Sequence, residues 1–157
     1  MTIPELQLLI SLIPLAYVGG AMIPIFHSDY TRNKVSNKIV VPLMVLTLLC
    51  WLTLAIWQGE WLKFGISILF FIGTILFGFF INIKYDLLGM GDVKLLATLS
   101  MILAWFSWGV ALVFLPVTAV LSLVIGFFVV MLSTAKDMRL SPVVFITFGF
   151  LVAVAMN

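Results

Sequence analysis

Asp29 and Asp92 are the two side chains of this chain best placed by type and position to do chemistry. Each lies in a short polar break beside a long apolar run. A charge next to hydrocarbon is costly, so an ionisable residue there marks a functional site by default. Two carboxylates a few ångströms apart cannot both ionise cheaply. One keeps its proton, and the couple then supplies a general base and a general acid together. A water between them could be activated against an amide carbonyl while the other carboxyl protonates the departing nitrogen. Taken singly, each has a plainer explanation. Asp92 could be the N-cap of the helical run Val93-Lys94-Leu95-Leu96, and Asp29 a solvated loop carboxylate balancing Arg32 and Lys34.

Other chemistries find little material. His27 is the only histidine and Cys50 the only cysteine, so an internal disulfide and a Cys/His zinc site are both excluded. Cys50 sits in mid-span and reads as a small apolar filler. There is no Ser/His/Asp set with credible placement. Gly89-Met90-Gly91 lacks the third glycine and the preceding strand of a dinucleotide fingerprint. The reading therefore calls for no metal and no cofactor. Asp86 is a third carboxylate near Asp92 and is read as a spectator.

The elements that must hold these residues are set by composition. Of 157 residues, 64% are hydrophobic and 9% charged, against about 25% charged in soluble domains. Too little polar surface remains to coat a core, so the bilayer is the expected solvent. The expected fold is all-α: a single polytopic integral membrane domain over residues 1–157, with about six transmembrane helices. The apolar runs are Ile3–Phe26, Ile39–Trp57, Phe64–Ile83, Val93–Trp105, Gly109–Ser133 and Pro142–Met156, the fourth and sixth of them short. No basic region precedes the first run, which predicts a retained helix rather than a cleaved signal.

Local signals mark the breaks. Asn37 is suited to cap the second helix, Ser141-Pro142 reads as N-cap and first helical position, and Gln58-Gly59-Glu60 as a turn. Pro14 and Pro24 are potential kinks in the first helix, and Pro116 in the fifth. Thr118, Ser122 and Gly126 form a small-residue stripe for close packing. Trp51, Trp57, Trp61, Trp105 and Trp108 are expected as an interfacial belt near one set of helix ends.

Charge asymmetry predicts orientation. With the N-terminus outside, Arg32, Lys34, Lys38, Lys84, Lys94, Lys136 and Arg139 face the cytoplasm, and Lys63 alone faces out. Asp29, just past the first helix, and Asp92, just before the fourth, then share the cytoplasmic side. The basic residues read as topology determinants beside anionic headgroups, not as a nucleic-acid surface.

The residues also carry a resemblance. Asp29 with Arg32 and Val35-Ser36-Asn37, then Gly89-Met90-Gly91-Asp92-Val93-Lys94-Leu95-Leu96-Ala97, then Ser141-Pro142 with Phe145 and Gly149, resemble in order and spacing the type IV prepilin peptidases, whose GxGD motif is shared with other intramembrane aspartyl proteases. The resemblance implies a plasma-membrane endopeptidase with catalytic aspartates Asp29 and Asp92. Gly89, Gly91, Asn37 and Lys94 fall at substrate-binding positions, the two glycines letting a scissile backbone approach Asp92. The implied substrates are prepilins or pseudopilins with a short basic leader, cut after a glycine at the cytoplasmic face. Val35-Ser36-Asn37 departs from the Ile-Pro-Asn usual in the family. The cysteine-rich insert associated with N-methylation in the long forms has no counterpart, so methyltransferase activity is not expected. The residues alone also admit a small ion-coupled transporter using both aspartates, or a non-catalytic assembly subunit. A transporter more often holds its acidic groups near the bilayer midplane.

Overall fold

A backbone in lipid must satisfy its own hydrogen bonds, so each apolar run is expected to close into a helix. The computed structural model describes residues 3–32, 37–85, 90–118, 120 and 142–155, and nearly all of these are helical. The helices are α1 (Ile3–Arg32), α2 (Asn37–Gln58), α3 (Trp61–Tyr85), α4 (Met90–Phe106), α5 (Trp108–Thr118) and α6 (Pro142–Ala155). The fold is all-α, and the protein is a membrane protein. Three stretches are long and apolar enough to cross a bilayer: Glu5–Ile25, Asn37–Gln58 and Trp61–Phe80. The fourth and sixth helices are short, as expected, at 17 and 14 residues. Ser122, Gly126 and Ser141 lie outside the described residues.

Several boundaries differ from the hydropathy reading, and for one reason. Hydropathy marks the oily part of a helix, whereas the hydrogen-bond ladder continues into polar residues at its ends. α1 runs on through Asp29 to Arg32, passing Pro14 and Pro24 within one helix. Its 30 residues make about 45 Å at 1.5 Å per residue, well beyond a hydrocarbon core of about 30 Å. Asn37 is already helical rather than preceding α2. Gly59 ends α2 in the left-handed region at φ 72°, a C-terminal stop that glycine adopts without steric cost. Pro142 opens α6, where its missing N–H costs nothing.

Packing follows from each helix's pattern. On α1, Pro14, Val18, Ala21 and Ile25 recur at helical spacing and are buried, and α1 packs chiefly on α2. On α2 the buried line is Val40, Leu43, Thr47, Cys50, Trp51 and Leu54. α4 differs from these two. From Leu99 to Trp105 every residue is buried, and α2, α3 and α6 all lean on it. α4 also carries Asp92, Thr98 and Ser100, all buried, and polar side chains in a membrane protein turn toward the bundle interior. α5 meets α6 where Gly149 abuts the Thr118 side chain and Phe114 meets Phe150 edge to face at 6.3 Å.

The tryptophans divide into two groups, which corrects the expected single belt. Trp57, Trp61 and Trp108 are exposed near the α2–α3 and α4–α5 turns. Trp51 is 0% exposed and stacks on buried Trp105 with centroids 4.8 Å apart and planes 8° apart. Phe106 approaches Trp51 edge-on at 5.8 Å. Helical phase decides the difference, since Trp51 falls on the same line as Leu43 and Thr47 and turns inward. Truncating Trp51 to alanine is expected to cost about 3–5 kcal/mol of stability. Trp108→Ala is expected to change it by about 0.5 kcal/mol or less. Reversible unfolding in mixed micelles checks both, and similar values for the two would return Trp51 to the belt.

Candidate active site

Asp92 is the third residue of α4 and is 3% exposed. Met90 and Gly91 are already helical, which corrects the N-cap reading of Asp92. Asp92 lies inside the first turn, where the helix N–H groups are still available to a negative charge. Its burial opposes that charge. A buried carboxylate in a mostly apolar protein is an expensive arrangement, and here three neighbouring contacts hold it in place.

The first contact is close helix packing on α3. A Cβ placed on Gly78 would stand 2.5 Å from Val93 Cγ1, so the bare glycine is what lets α3 reach the start of α4. The second is a buried hydrogen bond between Thr74 Oγ1 and Ser100 Oγ at 3.0 Å, each hydroxyl also lying within bonding distance of a carbonyl of its own helix, Phe70 at 2.7 Å and Ala97 at 2.9 Å. Interhelical bonds of this kind average about 0.6 kcal/mol in membrane proteins. The third links α2 to α4: Lys94 Nζ donates to Asn37 Oδ1 at 3.3 Å. With Trp51 stacked on Trp105 further along, α2 and α4 run parallel, while α3 runs antiparallel to α4.

These directions bring the first turns of α2 and α4 to one end of the bundle, together with the last turn of α3. Asp29 is in the final turn of α1. Arg32 is joined to Asn37 by five peptide steps, at most about 19 Å of chain, so the end of α1 is tethered to the same end. Tyr17 donates to the Ile39 carbonyl at 3.4 Å. Asp29 follows Tyr17 by twelve residues, about 18 Å of helix, with Pro24 between them.

Of the residues singled out from the sequence, the structure joins Asn37 and Lys94 by a direct bond and sets Gly91 beside Asp92. The Asp29 side chain and the whole of Asp86 and Gly89 lie outside the described residues. Among the described residues no group of three or more His, Cys, Asp or Glu side chains could hold a metal. Gly78, Thr74 and Ser100 were not anticipated. A glycine within an apolar run was the available signal for Gly78, but Gly65 and Gly73 on the same helix carry that signal too and face open space.

The fold and this buried carboxylate describe a helical membrane protein with an acidic site at one end of its bundle. The chain belongs to the type IV leader peptidase family, whose model matches residues 16–156. That family is one of aspartic-type peptidases, hydrolases of the membrane. No curated protein and no solved structure matches the chain.

The Lys94–Asn37 bond gives a test of how the two helices are held. A double-mutant cycle of Lys94→Met and Asn37→Ala is expected to show a coupling of about 1 kcal/mol in unfolding free energy. Strict additivity would mean that the contact does not join the helices in the folded protein.

Proposed function

We propose that the protein is a membrane aspartyl endopeptidase that removes the short basic leader of prepilin-like or pseudopilin-like precursors, cutting after a glycine at the cytoplasmic face. Asp29 and Asp92 are its catalytic carboxylates. The observation that carries the reading is the burial of Asp92 in the first turn of α4, in a chain of the leader peptidase family. A carboxylate shut away from bulk water is suited to hold or release a proton at a reacting group.

The mechanism is that of a carboxylate dyad. One carboxylate takes a proton from water as the oxygen attacks the peptide carbonyl. The other carboxyl gives its proton to the leaving nitrogen, and the two exchange roles for the next cycle. No metal or cofactor enters. The seven-to-one distribution of Lys and Arg supports an outside N-terminus and a cytoplasmic site. The substrate's apolar helix would then lie in the bilayer while its basic leader stays in the cytoplasm. Pro24 breaks the hydrogen-bond ladder of α1 between Tyr17 and Asp29, giving that helix a place to bend so that Asp29 can close on Asp92.

The test is co-expression with a candidate prepilin. The intact protein is expected to shorten the precursor by its leader. Asp29→Asn and Asp92→Asn are each expected to abolish shortening, a loss of at least about a thousandfold, with membrane insertion unchanged. Leader removal that persists in either variant refutes the dyad, and activity that survives both points to a non-catalytic role for this site.

A further inference from the structure

We propose that Gly78 is a positioning residue for Asp92, acting through Val93; the inference rests on the reading of Asp92 as a catalytic carboxylate. A Cβ at position 78 would meet Val93 at 2.5 Å (Cγ1), 3.0 Å (Cγ2) and 3.3 Å (Cβ). Carbon atoms prefer about 3.5–4.0 Å, so roughly 1 Å of relief is needed. Val93 cannot supply it by turning aside. It is β-branched and stiff at χ1, and at 2% exposure it is enclosed.

Relief by sliding α3 is opposed by the Thr74–Ser100 bond one turn away, where both hydroxyls are buried. The movement is left to the first turn of α4, and the residue bonded to Val93 there is Asp92. Misplacement by about 1 Å is enough to cost on the order of a hundredfold in rate. Gly65 and Gly73 make the contrast on the same helix, because a Cβ at either would touch nothing within 4 Å. Gly78 therefore works through what it touches, and its helix-forming tendency is incidental.

The test is steady-state cleavage of a prepilin by the full-length protein in detergent. Gly78→Ala is expected to lower kcat by about 10- to 100-fold, with KM within twofold. Gly73→Ala is expected to leave both unchanged. Adding Val93→Ala to Gly78→Ala reopens the space and is expected to restore most of kcat. Wild-type kcat in Gly78→Ala, an effect confined to KM, equal damage from Gly73→Ala, or no recovery in the double variant would each overturn the inference. Thermal unfolding of every variant separates misfolding from misplacement. Should Gly78→Ala not survive extraction, the double variant decides: folded and active supports the inference, folded and inactive overturns it. A wild type that leaves the prepilin whole overturns the peptidase reading and this inference together. A wild type that cuts no better than Gly78→Ala overturns this inference alone.

Discussion

The enclosure of α4 is the constraint on which the rest of the structure depends. Lipid gives no advantage to an apolar residue inside over one outside, so helices in a bilayer associate through fit and through buried polar contacts. α4 uses both. Val93 fills the hollow left by Gly78, Ser100 bonds Thr74, and Trp105 stacks on Trp51. These contacts occur at the start, middle and end of the helix, so it can neither slide nor rotate without losing one of them. The carboxylate two residues in from its beginning inherits that rigidity.

The helices that carry Asp92 and Asp29 are built differently. Asp92 is set in the most enclosed helix. Asp29 belongs to the last turn of a helix that extends past its neighbour and carries two prolines. The enclosed helix thus fixes Asp92, while the prolines of α1 give the longer helix places to bend. The buried indole of Trp51 fits the same division. Its Nε1 makes no hydrogen bond among the described residues, an arrangement costing about 1–3 kcal/mol. The fold accepts that cost far along α4, away from Asp92, where the flat stacking of two rings is what locks the helices.

Much of this was legible in the residues. Apolar runs separated by charged breaks marked the helices, because a continuous apolar run of about 20 residues in hydrocarbon satisfies its own backbone only as a helix. Gly59 marked the α2–α3 turn through a left-handed φ that few residues tolerate, and Pro142 marked the start of α6, where its missing N–H costs nothing. The pairing of a Gly-x-Gly-Asp run with a distant aspartate pointed to the family. What could not be read was phase and contact. Trp51 and Trp57 look alike in sequence, yet six positions along a helix place one inside and the other outside. Gly73 and Gly78 look alike as well, and only the approach of Val93 distinguishes them. Asp92 looked like a cap because hydropathy starts α4 at the first oily residue, while the backbone closes its ladder three residues earlier.

The connection between α2 and α3 has a consequence for how the chain enters the bilayer. Two residues, Gly59 and Glu60, join the helices, too few to let them separate, so the pair must cross as one hairpin. Its tip holds one acid and one base, Glu60 and Lys63, joined at 2.6 Å. That tip thus carries no net charge, where a single unbalanced charge would feel about 2.3 kcal/mol per 100 mV of membrane potential. The electric field neither drives nor resists this step, and the direction of insertion is left to the basic residues at the opposite ends of the same two helices.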